Sequence, residues 1–245
     1  MFNLDSIRRG KAFQAPRIML YGVHGIGKST FGAKAPNAIF IPTEDGLGTI
    51  DTASFPLAKT SDEVYSAVNT LMTEEHEFQS CVLDSLDWFE QILVREIEAT
   101  HTAQELAYGK ATVILVDRMT RFLESLTELR NVRGMTVILL AHAQAKRFDS
   151  PETEPYDRYM PKLQEKSSAK AQEWADAVLF ANYKTLIKKD DLGFNKTQAR
   201  GVSTGERLIH TQETAAFLAK NRYSLPPTLP LSWDAFQNAV SASAL

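Results

Sequence analysis

The chain has a single cysteine, Cys81, among its 245 residues. An internal disulfide is therefore excluded, and the composition suits a reducing cytoplasm. Long apolar runs are missing as well. No stretch of 18 apolar residues occurs, which leaves no candidate for a membrane-spanning helix. The first residues carry no hydrophobic segment of the kind that opens a secretory signal. Excess charge of one sign is also absent: 27 Lys and Arg stand against 30 Asp and Glu, for a net charge of −3. The chain as a whole is not a basic nucleic-acid binder, so any contact with DNA or RNA must come from a local patch. There is no internal repeat and no low-complexity tract, which excludes solenoids. What remains is 44% hydrophobic and 23% charged residues, an ordinary globular balance at a length that suits one large α/β domain. The tail Ser241-Ala242-Ser243-Ala244-Leu245 is expected to fray.

One stretch organises the rest. Gly22-Val23-His24-Gly25-Ile26-Gly27-Lys28-Ser29, followed by Thr30, fits the phosphate-cradling loop G-x-x-x-x-G-K-[ST]. Arg17-Ile18-Met19-Leu20-Tyr21 before it reads as a short buried strand. Ser29 to Ala35 after it reads as a helix, closed by Pro36. Glycines let the backbone wrap closely around phosphates. The exposed N–H groups and the helix dipole then favour an anion. In this pattern Lys28 reaches the β and γ phosphates and the Ser29 hydroxyl ligates Mg²⁺.

Hydrophobic periodicity places the elements that follow. Ala38 to Pro42 is a second strand, leading into the turn-like Thr43-Glu44-Asp45-Gly46. Ser61 is expected to cap a helix to about Thr73, with Glu63 in its first turn. Ser80 to Asp84 is a third strand, ending in an acid. Trp88 to Thr100 is a helix with Trp88, Ile92 and Ile97 expected to face the core, and Val113 to Arg133 is another, stopped by Gly134. Met135 to Ala141 is a fourth strand. Alternating strands and helices argue a parallel sheet covered on both faces. Such sheets bind ligands at the C-terminal ends of their strands, where Gly22, Glu44, Asp84 and His142 all fall. Residues 144–162 show no periodicity and read as a long loop. Beyond it, Ala169–Ala175 reads as a short helix. Ala177–Leu186, Arg207–Thr211 and Ala215–Leu218 read as antiparallel strands, Lys188–Gly205 as an exposed hairpin or loop, and Ser232 as the cap of a final helix with Phe236 and Val240 inward.

Four groups of residues carry candidate chemistry. Asp84 ends an apolar strand, where a carboxylate holds Mg²⁺ directly or through water, or caps the next helix. The residue after it is Ser85, so a water-activating base must come from elsewhere. Glu44, with Asp45 as second choice, sits where a carboxylate orients water for in-line attack. His142, with Gln144 nearby, follows the fourth strand and is placed to hydrogen-bond a γ-phosphate. Cations and aromatics alternate through the long segment: Lys146, Arg147, Phe148, Arg158, Tyr159 and Lys162. That is either a single-strand nucleic-acid surface or a solvated loop. Lys220 and Arg222 lie on one side of an extended segment, as a surface basic pair or as fingers toward a neighbouring subunit's γ-phosphate.

Together GVHGIGKST at 22–30, IPTEDG at 41–46, CVLDS at 81–85, VILLAHAQ at 137–144 and AKNRY at 219–223 resemble the RecA-like P-loop ATPase superfamily. The similarity is closest to the short phage-type proteins of single-strand annealing and recombination. The resemblance spans about residues 16–223 of what reads as one RecA-like domain, with a C-terminal helix at about 232–242. It implies an ATP site with Mg²⁺ on Ser29 and Asp84, catalysis by Lys28 and Glu44, and γ-phosphate sensing by His142. It also implies a DNA-binding segment at 144–162, and Lys220 and Arg222 acting in trans within a homo-oligomeric ring or filament. The implied task is DNA-stimulated ATP hydrolysis on single-stranded DNA, in a bacterial host's cytoplasm if phage-encoded, alongside a single-strand-binding or replication partner. Two rivals use the same loop differently: a helicase-loader-like, nucleotide-dependent interaction protein, and a small-molecule kinase.

Overall fold

The computed structural model describes residue 3, residues 14–191 and residues 197–243, and covers their side chains apart from 187–191 and 197–203. The chain runs β1 (Arg17–Gly22), α1 (Lys28–Ala33), β2 (Ala38–Pro42), β3 (Ala53–Ser54), α2 (Ser61–Thr73), β4 (Ser80–Asp84), α3 (Leu86–Thr100) and α4 (Lys110–Arg133). It continues through β5 (Thr136–Phe148), β6 (Tyr156–Pro161), α5 (Glu165–Trp174), β7 (Ala177–Asp191), β8 (Thr197–His210), β9 (Lys220–Asn221), β10 (Thr228–Pro230) and α6 (Trp233–Ser243).

The sheet order is β10-β8-β7-β1-β5-β4-β2-β3, with β6 added to β5 and β9 to β7. The centre is parallel and the C-terminal strands are antiparallel. The central strands are apolar throughout because both of their faces are covered. Met19, Ile39, Leu83, Leu139 and Phe180 pack beneath α2, α3, α4 and α5. Ile18, Leu20, Phe40, Val82 and Leu140 pack beneath α1 and α6. Among the described residues no helix is long and apolar enough to cross a membrane.

The register sets the site. Gly22 pairs with His142, Asp84 with Leu140, and Pro42 with Asp84. Strand β5 lies between the P-loop strand and the acid-bearing strand β4. The C-terminal ends of β1, β4 and β2 therefore meet the middle of β5 along one edge, and it is there that Lys28, His142, Asp84 and Glu44 converge.

Five sequence expectations are corrected. Helix α2 is capped by Thr60, one residue earlier than Ser61: its side chain accepts from the Glu63 N–H while Glu63 accepts from the Thr60 N–H. Trp88 is 40% exposed, because α3 begins at Leu86 and turns Leu86, Phe89, Leu93 and Ile97 inward. Helix α4 begins at Lys110, three residues before the expected start. Residues 144–162 are mostly not a loop. Strand β5 continues to Phe148 and pairs antiparallel with β6, Gln144 against Met160 and Phe148 against Tyr156. Ala215–Leu218 forms no strand; Phe217 makes only isolated bridges to Tyr159 and Thr214. The expected exposed hairpin at Lys188–Gly205 is built from the far arms of β7 and β8, with its tip at 192–196 outside the described residues.

Candidate functional site

The phosphate loop leaves β1 at Gly22 and enters α1 at Lys28. Gly25 and Gly27 sit at φ 69° and 110°, conformations that glycine adopts without strain. Ile26 is fully buried and pins the loop to the core. The Lys28 ammonium folds back on its own loop, donating to the Gly22 and Val23 carbonyls at 3.1 and 3.2 Å. Burial pulls its pKa down, while Asp84, Asp87 and Glu44 push it up.

Ser29 Oγ donates to Asp84 Oδ2 at 2.6 Å, across strands that β5 separates. These are two hard oxygen donors side by side, which fits Mg²⁺ completed by phosphates and water. Among the described residues there is no cluster of three metal-ligating side chains, and a P-loop magnesium site does not need one. Burial raises the Asp84 carboxyl, with the Ser29 hydrogen bond offsetting part of the rise.

Glu44 faces this pair. Ser85 Oγ donates to Glu44 Oε2 at 3.3 Å, and His142 Nε2 lies 3.8 Å from the same oxygen. The turn carrying Glu44 is fixed from below. Thr43 Oγ1 donates to the Ser85 carbonyl and accepts from the Ser85 N–H, at 2.7 and 2.9 Å. Ser85 thus serves as a support for Glu44 rather than as a base.

His142 is held by Asp87, which the sequence reading did not single out. Asp87 accepts from the His142 backbone N–H at 3.0 Å and from Nδ1 at 2.9 Å. A carboxylate only accepts, so the proton is on Nδ1 and the Nε2 edge faces Glu44. Burial pushes the Asp87 carboxyl up, and the hydrogen bonds from His142 outweigh it and hold it below its usual range. His24 of the loop stacks on the His142 ring at 4.2 Å, and its pKa falls because of His142 first and burial second. Asp87, at the first turn of α3, is 1% exposed, and an acid that buried needs a partner. Its partner is 55 residues away in sequence.

The cavity so enclosed is about 310 Å³, lined by His24, Gly27, Lys28, Ser29, Thr30, Glu44, Asp84 and His142 among others. Asp45 is exposed beyond its rim. The other candidates lie elsewhere. On the β5–β6 hairpin, Lys146, Arg147 and Lys162 are exposed, and Tyr159 is 37% exposed with its ring stacked on Phe180. Arg158 is turned inward, its guanidinium 3.7 Å over the Phe148 ring and 2.8 Å from Glu213. It belongs to the hairpin's support and not to an exposed patch.

Lys220 and Arg222 are not brought to the phosphate loop. Lys220 pairs with Val178, near the start of β7, whereas the loop follows the level of Ala181. Three residues of strand separate these levels, about 10 Å. The Lys220 ammonium donates to the Gln172, Glu173 and Ala175 carbonyls at the end of α5, at 2.7, 3.1 and 2.7 Å. Arg222 pairs with Asp176 at 3.1 Å, beside Arg17 and Arg130.

Comparison with known proteins finds a family, a sequence relative and a solved structure similar to this chain. A family described as AAA domain matches residues 14–223. The SPbeta prophage-derived protein YorG of Bacillus subtilis is 26% identical over 150 residues, covering 58% of this chain. The match takes in 46% of that relative's length. Among solved structures, the RadB recombinase is 16% identical with a TM-score of 0.46, covering 91% of this chain and 90% of its own. With the family match running from before β1 to beyond β9, and the phosphate loop, Asp84 and Glu44 meeting at one edge of the sheet, the chain belongs to the AAA domain family.

Proposed function

We propose that this protein binds ATP with Mg²⁺, hydrolyses it, and couples the cycle to single-stranded DNA. The observation that carries the reading is the 2.6 Å contact between Ser29 Oγ and Asp84 Oδ2 beneath the loop, with Glu44 facing it. The loop amides and Lys28 bind the phosphates, with Lys28 exchanging its two loop carbonyls for phosphate oxygens. Ser29 and Asp84 hold the magnesium ion, which when bound neutralises phosphate charge. Glu44, oriented by Ser85, positions and deprotonates the attacking water. His142, oriented by Asp87, donates from Nε2 to the γ-phosphate when that nitrogen is protonated.

The coupling to DNA rests on continuity of the backbone. His142 lies inside β5, which runs without a break into Lys146 and Arg147. The His142 carbonyl accepts from the Lys162 N–H at 2.8 Å, on the returning arm. A shift at His142 is therefore delivered to both arms of the hairpin. The exposed cations bind phosphates and Tyr159 offers a ring for a base. The B. subtilis relative is named as prophage-derived, which suits a phage-type annealing or recombination role. Assembly into a ring or filament, and work beside a single-strand-binding or replication protein, belong to the same proposal.

ATP turnover with and without single-stranded DNA tests this reading. Stimulation by DNA supports it, turnover that requires a small phosphate acceptor favours a kinase, and binding without turnover favours a loader-like partner.

A further inference from the structure

We infer that Arg207 is a nucleotide-binding residue of the same chain, contacting the α-phosphate. This rests on the ATP-binding reading above and adds a group that no motif contains. A Cβ built on Gly27 would lie 3.1 Å from Arg207 Nη1 and 3.7 Å from a methyl of Leu231. The guanidinium thus lies against the phosphate loop, at the residue just before Lys28. Glycine at position 27 leaves the space that it occupies.

The fold places this arginine deliberately. Ile209, two residues on, is fully buried on the α1 side of the sheet. Alternation along β8 sends Arg207 to the same side. Immediately before it the register with β7 shifts: Tyr183 pairs with Arg207 but Thr185 pairs with Ser203. Residues 204–206 stand opposite the single residue Lys184 and form a bulge, with Gly205 at φ 78°. Bulges re-aim side chains and gather beside functional sites. The Arg207 carbonyl also accepts from the Leu231 N–H at 3.1 Å, which fixes the strand at this residue.

Arg207 has no acidic partner among the described residues. The adjacent Glu206 points away and pairs with Lys184 at 2.8 Å. An exposed guanidinium held against a loop that already presents amide N–H groups and Lys28 concentrates positive potential at one point. A polyanion relieves it.

Strand order identifies which phosphate. Glu44, Asp84 and His142 stand on β2, β4 and β5 or just beyond them, on one side of β1. They mark the γ end. Arg207 arrives from β8, on the other side of β1. It therefore meets the nucleoside end of the polyphosphate, and Leu231 beside it offers an apolar surface to the sugar or base. A guanidinium there recognises what ATP and ADP share.

The test is calorimetric titration of ATP and ADP into wild type, Arg207→Ala and Arg207→Lys, together with ³¹P NMR of the ADP complexes. Arg207 is exposed, so both variants are expected to keep the ligand-free thermal midpoint. Affinity for ATP and ADP should fall alike in Arg207→Ala, by about tenfold or more. Arg207→Lys should fall less, with the α-phosphorus resonance moving more than the β. Loss confined to ATP would assign Arg207 to the γ-phosphate and overturn the inference, as would unchanged affinity for both nucleotides. If wild type binds neither nucleotide, the ATP reading fails first and takes this inference with it.

Discussion

Asp87 grips His142 with both of its carboxylate oxygens, one on the backbone N–H at 3.0 Å and one on Nδ1 at 2.9 Å. The two bonds fix where the ring sits and which edge it presents. The edge presented is Nε2, 3.8 Å from Glu44. An acid on α3 thereby controls a histidine on β5 that faces the proposed base from β2. Asp87→Asn keeps the shape but brings an amide N–H₂ toward Nδ1, which favours the other tautomer. We expect kcat for ATP hydrolysis to fall on the order of 10- to 100-fold, with KM little changed and the pH profile of kcat displaced. Unaltered kcat and pH profile would reduce Asp87 to a packing residue.

Asp84 carries a stability penalty in the ligand-free protein. Burial raises its carboxyl above the ordinary value, partly offset by Ser29. A raised folded pKa means that the associated stability is present below the unfolded value of about 3.9 and lost as pH rises through the folded one. Asp84→Asn removes the charge and keeps an oxygen for Ser29. The ligand-free thermal midpoint should therefore rise by about 2–4 °C at pH 7.5, with little gain near pH 4, while Mg²⁺-dependent nucleotide affinity falls. A midpoint that drops at pH 7.5 would contradict the assignment.

Lys220 closes the end of α5 by donating to three carbonyls, and Arg222 helps to neutralise Asp176. Lys220→Ala leaves those carbonyls without their donor and should destabilise the fold by about 1–2 kcal/mol, read by urea unfolding. A finger acting in trans makes a different prediction: mixtures of Lys28→Ala and Arg222→Ala subunits regain turnover. With both cations engaged inside their own chain, we expect the loss of stability and no rescue. Rescue at any mixing ratio would show that the pair leaves its carbonyls and Asp176 for a neighbour.

The hairpin divides into residues that touch DNA and residues that hold it up. Among the described residues Lys146 and Arg147 are paired with exposed carboxylates, Glu165 and Asp149. Such pairs are weak and exchange readily for phosphate. Replacing Lys146, Arg147 and Lys162 by Ala should reduce the slope of log affinity against log salt for single-stranded DNA by about 2. Tyr159→Ala should weaken binding by about 1–3 kcal/mol without altering the slope. Arg158→Ala should instead lower thermal stability. A salt slope unchanged in the triple variant would remove the hairpin from the DNA interface.

The centre of the fold was readable because its signals are local. The phosphate loop is one continuous motif, and Ala38–Pro42 and Ser80–Asp84 are apolar runs whose ends the structure reproduces. Their ends also placed Glu44, Asp84 and His142 at one edge before any register was known. What could not be read depends on contacts distant in sequence. Asp87 finds His142, and Arg207 finds Gly27, only when the sheet is assembled. The segment 144–162 shows no alternation in sequence, and its one buried cation, Arg158, is held by Glu213 and Phe148, contacts that only the folded chain brings together. On α3 Ile92 and Ile97 are buried as expected and only Trp88 is not, because Phe89 beside it takes the place against Phe122.

The central claim is that Glu44 activates water over a nucleotide held by Lys28, Ser29 and Asp84. It is tested most directly by phosphate release from ATP in Mg²⁺, for wild type, Lys28→Ala and Glu44→Gln, with and without single-stranded DNA, alongside nucleotide affinity. Wild type should turn over ATP faster with DNA. Lys28→Ala should be inactive and bind ATP weakly. Glu44→Gln should bind ATP like wild type and release on the order of a hundredfold less phosphate. Wild-type turnover in Glu44→Gln would contradict the account.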